Sequence, residues 1–218
     1  MSGDWRPLPG DLAQIATADI DGDFFDEIFG LTNDGQIFYT NDLLPNWQWV
    51  PGLLSQIAAC DLNGDGIADL VGIAVDGHIY YTLDKLNWQT MPGLLSQLTC
   101  ADLDRDGLGD VAGVTSTEDI YYTLDREHWQ HLPGRLARLA SGHINGDRKA
   151  DLVGLTSSGH IYYTSDLLHW VYVPGVLSQI AVGQLDSDLQ GDLVGLSSTG
   201  DIFYTLDRIS WSQLPGKF

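Results

Sequence analysis

Five short segments of the sequence carry acidic residues at alternate positions, and 17 of the 30 Asp and Glu residues fall within them. The segment 61–69 shows the pattern best, with oxygen-bearing side chains at its first, third, fifth and ninth positions and glycine at the sixth. Such a loop can surround a hard cation, because Ca²⁺ takes six to eight oxygen ligands and glycine permits the sharp bend. The spacing therefore predicts calcium-binding loops.

The five segments differ in how completely they carry this pattern. The predicted calcium ligands are Asp19, Asp21, Asp23 and Glu27 in the first segment, Asp61, Asn63, Asp65 and Asp69 in the second, Asp102, Asp104, Asp106 and Asp110 in the third, and Asp186, Asp188 and Asp192 in the fifth. Phe24 replaces the glycine of the first segment, and the fifth begins with Gln184. The fourth begins with His143 and contains Arg148 and Lys149. We expect the second and third segments to bind calcium most tightly and the fourth least, its Asp and Gly being ordinary turn residues.

The acidic segments belong to an internal repeat of 41 residues. Pro-Gly occurs six times, at 9, 51, 92, 133, 174 and 215, and a Trp stands four residues before each occurrence. One insertion, near Pro45, lengthens the first copy. In the second copy, strand-like segments cover 55–62, 69–75, 78–84 and 88–91, the last closed by Pro92-Gly93. No segment keeps a helical period.

Four strands in about 40 residues is the signature of a propeller blade. The sequence therefore predicts an all-β fold, a five-bladed β-propeller of four-stranded antiparallel blades that forms a single domain over 1–218. The predicted blades are approximately 11–52, 53–93, 94–134, 135–175 and 176–216, and 1–10 is an extra copy of the fourth strand. We expect the C-terminal copy to complete the fifth blade, because it follows its own third strand directly.

Two families share features with this sequence. The segment Asp61-Leu62-Asn63-Gly64-Asp65-Gly66-Ile67-Ala68-Asp69 resembles the calcium loops of FG-GAP-type propellers. The blade as a whole, with Trp, then Pro-Gly-x-Leu-x-Gln-Ile and later Gly-x-Ile-Tyr-Tyr, is similar to the tectonin and tachylectin group of lectin propellers over residues 5–216. The second resemblance implies carbohydrate binding, without identifying the sugar or its contacts.

Other residues repeat with the blades. We predict that the Asp of each Thr-x-Asp motif, such as Asp84, accepts main-chain N–H groups in a turn. Gln14, Gln56, Gln97 and Gln179, with Arg138 in the fourth copy, are expected to line a hydrated channel. The candidate ligand-binding residues are the repeated tryptophans, which are expected near the calcium loops unless they are buried as anchors of the outer strand: Trp47, Trp88, Trp129, Trp170 and Trp211. Cys60 and Cys100 are offset by one repeat position, which favours free thiols.

Composition limits the partners. A net charge of −20 argues against a nucleic-acid partner and against adsorption to anionic lipid. No apolar run is long enough for membrane insertion. The N-terminus lacks the pattern of a signal peptide, which leaves a cytoplasmic location open, or a secreted one for a trimmed chain. We expect a monomer.

Three function classes remain to be compared. Repeated blades create repeated grooves, which favours a multivalent lectin-like module that binds glycans and is stabilised by calcium. An enzyme is disfavoured, because the acids repeat with the blades and no nucleophile or phosphate-binding motif is present. The alternative is a protein–protein interaction module or a structural or engineered repeat propeller, which variation at the turns between the second and third strands keeps open.

Overall fold

The computed structural model describes residues 11–41, 46–188 and 190–217, and these residues form twenty β-strands. Consecutive strands associate into five four-stranded antiparallel sheets, each in the order of the sequence. This arrangement confirms the predicted five-bladed β-propeller fold. In the described part of the chain, no helix is long and apolar enough to cross a membrane.

The four strands of each blade are called a, b, c and d in chain order. Blade one contains β1 (Gln14–Ala18), β2 (Glu27–Leu31), β3 (Gln36–Thr40) and β4 (Gln48–Leu53). Blade two contains β5 (Gln56–Cys60), β6 (Asp69–Ile73), β7 (His78–Thr82) and β8 (Gln89–Leu94). Blade three contains β9 (Gln97–Ala101), β10 (Asp110–Val114), β11 (Asp119–Thr123) and β12 (Gln130–Arg135). Blade four contains β13 (Arg138–Gly142), β14 (Asp151–Leu155), β15 (His160–Thr164) and β16 (Val171–Val176). Blade five contains β17 (Gln179–Gly183), β18 (Asp192–Leu196), β19 (Asp201–Thr205) and β20 (Ser212–Lys217).

The chain forms two compact units, residues 1–91 and 92–218. In the first unit, strand a of blade one (β1) lies beside strand a of blade two (β5). In the second unit, the a strand of blade four (β13) lies beside those of blades three and five (β9 and β17). Successive blades in each unit are therefore neighbours through their a strands.

The last repeat copy forms β20, which pairs with β19 and completes blade five, as predicted. The N-terminal copy in 1–10 and the insertion at 42–45 lie outside the described residues.

Strand b is the core of each blade. All residues of β6, β10 and β14 are buried, in agreement with their nearly continuous apolar sequence. A glycine in each b strand makes room for a leucine that stands two positions after the glycine of Pro-Gly, as Leu95 does after Gly93. A Cβ on Gly113 would lie 2.5 Å from Leu95 Cδ1 and 2.6 Å from the carbonyl oxygen of Gln97. The repeated glycine and leucine are therefore two halves of one packing contact.

Pro-Gly does not close strand d, contrary to the expectation from sequence. The d strands continue through it, and Pro51 and Gly52 bulge out of the pairing of β3 with β4, where Gln36 faces Leu53 and Ile37 faces Val50. Gly52 has a φ of 134°, a conformation that L-residues rarely adopt. The bulge turns the proline carbonyl out of the ladder, where another group can bond to it.

Two of the repeated glutamines, Gln14 and Gln97, bind the next blade rather than serving only as a hydrated wall. Gln97 Nε2 donates to the Leu139 carbonyl oxygen (2.8 Å), and Gln97 Oε1 accepts from the Leu139 N–H (2.6 Å). Gln14 forms the same pair of hydrogen bonds with Ile57 (2.9 and 3.0 Å). Arg138 takes the place of this glutamine in blade four, and a guanidinium has no acceptor for the second bond.

The cysteines differ from the expectation. Neither is a free thiol, because Cys60 and Cys100 are both disulfide-bonded. The offset by one repeat position orders side chains within a single sheet, and it therefore does not decide whether a cysteine can form a disulfide.

Candidate calcium loops and inter-blade grooves

The acidic segments form the loops between strands a and b, and their first residue organises the loop. Asp61 Oδ1 accepts from the Gly64 N–H (2.6 Å), and Asp61 Oδ2 accepts from the Gly66 N–H (2.8 Å). Asp19 and Asp102 make the equivalent pairs of bonds in blades one and three. Backbone N–H groups lower the pKa of Asp19 although desolvation opposes them.

The ninth residue of each loop begins strand b and is a buried carboxylate in all five blades. One of its oxygens accepts from the N–H of the second loop residue, as Asp110 Oδ2 does from Leu103 (2.7 Å) and Asp151 Oδ2 does from Ile144 (2.8 Å). The other oxygen, Oδ1, is buried without a hydrogen-bond partner in Asp110, Asp151 and Asp192, among the residues that the structure describes. A buried, unpaired carboxylate oxygen is costly, so each of these atoms is suited to a cation.

Two loops bring three carboxylates together. One ligand atom from each of Asp19, Asp21 and Glu27, and likewise from each of Asp102, Asp104 and Asp110, lies within 4.8 Å of the other two. In the described parts of the other loops, no three carboxylates are so close. The second loop has Asn63, not a carboxylate, at its third position, and the fourth and fifth loops begin with His143 and Gln184. Phe24 takes a left-handed φ of 71° at the position where Gly66 and Gly107 take 82° and 87°, so blade one keeps the loop shape without glycine.

Burial and like charge oppose ionisation of the ninth carboxylate. Burial, with a smaller contribution from the nearby Asp104, Asp106 and Asp102, raises the pKa of Asp110 to about 7 although the bond from the Leu103 N–H lowers it. Burial likewise raises the pKa of Asp69 to about 6. The pKa values of Glu27 and Asp151 are also raised, mainly by desolvation. Lys85 near Asp69 and Lys149 near Asp151 lower these two pKa values without cancelling the rise, and a divalent cation would supply stronger positive charge.

The remaining predicted ligands have roles in turns. Asp23, Asp65 and Asp106 accept from the N–H two residues later, at 2.8–2.9 Å. Asp186 and Asp188 accept from the N–H groups of Asp188 and Gln190 (2.9 and 2.8 Å). In blade four, Asp147 accepts from Lys149 N (2.8 Å) and from Asn145 Nδ2 (3.0 Å). Metal binding at the first five of these aspartates stays a prediction, and Asp147 is not among the predicted ligands.

The Thr-x-Asp motifs are turn structures. Asp84 Oδ1 accepts from the N–H groups of Leu86 (2.9 Å) and Asn87 (2.7 Å) and from the hydroxyl of the buried Thr82 (3.0 Å). These bonds, first that from the Asn87 N–H, hold the pKa of Asp84 well below its usual range. The predicted structural role of these aspartates agrees with this geometry.

The tryptophans lie between neighbouring blades. Trp129 Nε1 donates to the Pro92 carbonyl oxygen (2.6 Å) and Trp170 Nε1 to that of Pro133 (2.8 Å). Trp88 and Trp211 donate to Pro51 and Pro174 in the same way. Each of these indoles lies over the glycine of the preceding Pro-Gly bulge, and all five repeated tryptophans, including Trp47, are partly exposed. The rings are therefore both inter-blade anchors and accessible surfaces, so neither of the two alternatives considered from sequence describes them alone.

Two equivalent cavities open beside these rings. A cavity of about 240 Å³ between blades three and four is lined by Ile120, Gly134, Arg135, Leu136, Thr156, Tyr162 and Trp170. A cavity of about 220 Å³ between blades four and five is lined by Gly175, Val176, Leu177, Phe203 and Trp211. No acidic-loop residue lines either cavity among the described residues. The expectation that the tryptophans sit beside the calcium loops is therefore wrong for these two grooves, because each indole reaches to the Pro-Gly bulge of the preceding blade.

The repeat and the fold agree with a comparison of sequence families. The family model for the tectonin domain matches residues 17–218. The chain belongs to the tectonin domain family. No curated protein sequence matches it.

Solved propellers share the fold of this tectonin-domain chain at low sequence identity. Aleuria aurantia lectin in complex with Fucα1-6GlcNAc is 12% identical with a TM-score of 0.58, covering 96% of this chain and 80% of that one. YCF48 bound to D1 peptide is 15% identical with a TM-score of 0.61, covering 97% and 73%. BBS1N in complex with ARL6DN is 11% identical with a TM-score of 0.60, and this chain covers 65% of its length, with 88% of this chain covered.

Proposed function

We propose that this chain is a multivalent lectin-like module that binds glycans in its inter-blade grooves and is stabilised by calcium in its a–b loops. The observation that carries the glycan proposal is the repeated, partly exposed indole over a Pro-Gly bulge, which forms a cavity in at least two grooves. Membership of the tectonin family and the likeness to a lectin crystallised with a fucosyl disaccharide support it.

The grooves have the chemistry that a sugar requires. A pyranose presents C–H groups on its faces and hydroxyls at its edge, so it needs a flat apolar surface beside polar groups. Trp170 and Tyr162 supply the aromatic surface, and the polar Thr156 lines the same cavity. A small ligand of this kind buries little apolar surface, so each site is weak, and clustered glycans gain affinity by engaging several grooves.

Calcium in this proposal is held by the a–b loops. The third loop supports it best, because Asp102, Asp104 and Asp110 converge and the buried Asp110 Oδ1 has no protein partner in the described structure. A bound Ca²⁺ would supply positive charge to these oxygens and remove their mutual repulsion. The first loop, with Asp19, Asp21 and Glu27, offers a similar set. Because no acidic-loop residue lines the cavities, calcium acts on the stability of the fold rather than as a bridge to the sugar.

The test combines a glycan array with calorimetric titration of each hit, in calcium and in EGTA. The proposal expects the hit to bind at more than one site per chain, with affinity per site unchanged by EGTA as long as the protein stays folded. Trp170→Phe and Trp211→Phe should each remove or weaken one site. A hit that binds at one site only, and is insensitive to both substitutions, would refute binding in the repeated grooves.

A second candidate is protein binding at the a–b loop side of blade one. Phe24 and Phe25 are 94% and 73% exposed, and neither is explained by packing. Leu86 of the c–d turn in blade two is 66% exposed, and its neighbour Lys85 reaches the Ile20 carbonyl oxygen of the first loop. Exposed apolar residues in such an acidic surface suit a partner protein. A partner captured with wild-type chain and lost with Phe24→Ser and Phe25→Ser would favour this candidate over the grooves.

A further inference from the structure

The inter-blade grooves share their tryptophan but differ in the residue that follows Pro-Gly. In the four grooves where an indole bonds to the proline carbonyl, this residue is Leu53, Leu94, Arg135 or Val176, in chain order. Arg135 lines the 240 Å³ cavity between blades three and four, and Val176 lines the matching cavity between blades four and five. Both cavities keep a tryptophan and an aromatic residue of strand c. The arginine is therefore the main chemical difference between two otherwise similar sites.

The guanidinium of Arg135 is available for a ligand. Its side chain is 70% exposed, and its only ion pair in the described structure joins its Nε to Asp119 Oδ1 at 3.8 Å. That distance is too long for a hydrogen bond, and an exposed pair of this kind is weak. Asp119 also accepts a shorter bond from the Thr117 hydroxyl (2.6 Å). No hydrogen bond donated by the Arg135 side chain is found among the described residues, so its guanidinium N–H groups are available to a ligand.

One side of this groove is more favourable to an anion than the net charge of −20 suggests. The b–c turn of blade four, residues 156–160, has no acidic residue, whereas Asp34, Asp76, Glu118 and Asp201 lie in or directly after the corresponding turns. Thr156 of that turn lines the cavity. On the side of blade three, Glu118 and Asp119 of the b–c turn would repel a bound anion.

We propose that the groove between blades three and four binds sugars that carry a carboxylate, such as uronic or sialic acids. Arg135 would hold the carboxylate with two parallel N–H bonds, a geometry that a planar guanidinium provides and an ammonium does not. Trp170 and Tyr162 would support the ring. The neighbouring groove, with Val176 in place of the arginine, would accept neutral sugars only. This proposal rests on the proposed glycan binding and adds a ligand class to one of its sites.

The test uses matched substitutions that give each groove the residue of the other, Arg135→Val and Val176→Arg. Methyl β-D-glucuronide and methyl β-D-glucoside differ at C6 only, and methyl α-N-acetylneuraminide and its methyl ester form a second pair. In titrations observed by NMR, wild-type protein is expected to bind at least one acid more tightly than its neutral partner, at one site per chain. Arg135→Val should weaken binding of the acid by about tenfold or more, since it removes charge-assisted bonds, and should weaken binding of the neutral sugar much less. Val176→Arg should create a second acid-binding site, and Arg135→Lys should recover only part of the loss.

The outcomes separate this inference from the proposed function. If neutral glycans bind in several grooves and each acid binds no better than its neutral partner, the inference is wrong and the proposed function stands. If an acid binds preferentially but Arg135→Val does not weaken it, the assignment to this groove is wrong. If no sugar, acidic or neutral, binds at all, both fail. Thermal unfolding of each variant confirms that the substitutions preserve the fold.

Discussion

Replacing Asp110 by Asn is expected to stabilise the metal-free protein at pH 8, to lose that effect at pH 5, and to weaken calcium binding. Asp110 Oδ2 accepts from the Leu103 N–H, and an amide oxygen can accept the same bond. Its Oδ1 is buried without a partner among the described residues. The substitution therefore removes a charge and keeps the structural bond.

The magnitude follows from the pKa of Asp110, which burial raises from an ordinary 3.8 to about 7. The pKa of Asp110 is higher in the folded state than in the unfolded state. Asp110 therefore contributes stability below about pH 4, and this contribution is lost as the pH rises through about 7. At 1.36 kcal/mol per pKa unit, ionised Asp110 costs the fold about 4 kcal/mol at pH 8. The buried amide that replaces it costs about 1–3 kcal/mol, because its N–H₂ has no acceptor. The net gain at pH 8 is therefore about 1–3 kcal/mol.

The assay is urea unfolding in EGTA and in calcium, at pH 5 and pH 8. Wild-type protein should gain stability from calcium at pH 8, by about 2.7 kcal/mol per site at a hundredfold excess over Kd, and Asp110→Asn should lose much of that gain. Asp166→Asn is the control, because the bonds from the His169 side chain and backbone and from Leu168 N hold the pKa of Asp166 low. That substitution should destabilise the protein at both pH values. If Asp110→Asn destabilises metal-free protein equally at pH 5 and pH 8, the account of the buried carboxylate is refuted.

Four further substitutions test the packing, the first a–b loop and the grooves. Gly113→Ala should lower the unfolding free energy by about 1–3 kcal/mol, because its Cβ would overlap Leu95. Gly183→Ala is the control and should have little effect, because the space around Gly183 is open. Equal stability of the two variants would contradict this packing. Phe24→Gly should raise stability by about 1 kcal/mol, because Phe24 has a left-handed φ of 71° and its side chain, 94% exposed, loses little packing. A lower melting temperature of the variant would show that the ring packs in solution. Trp170→Phe should keep the fold and the calcium response but weaken glycan binding in its groove, and unchanged binding would exclude this indole from the site.

The blade architecture is predictable from sequence because it depends on local features that recur five times. Pro-Gly and Trp mark the period, and the continuous apolar segments identify the buried b strands, such as β6 and β14. The turn role of Asp84 also follows from its neighbours in sequence. Each of these features acts within one blade, so one copy of the repeat contains the information.

The features that sequence reasoning missed join residues of different strands or blades. The partner of Trp129 is the carbonyl of Pro92, and the partner of Gln97 is the backbone of Leu139. Both depend on how one blade follows another, which periodicity does not specify. The repeated glycine in strand b was a signal that could have revealed the leucine packed on it. Arg135 differs from its counterparts in the repeat, yet its position beside a cavity becomes visible only with the structure.

The central claim is that one chain binds glycans at several equivalent grooves, and stoichiometry tests it most directly. Calorimetric titration of folded, calcium-loaded protein with a neutral monovalent hit from a glycan array should give more than one site, up to four for the indoles that lie over a Pro-Gly bulge. A polymer that displays the same sugar should bind far more tightly than the monovalent form. A single site for the neutral sugar, or no binding to any glycan beside tight binding to a protein partner, would contradict the claim.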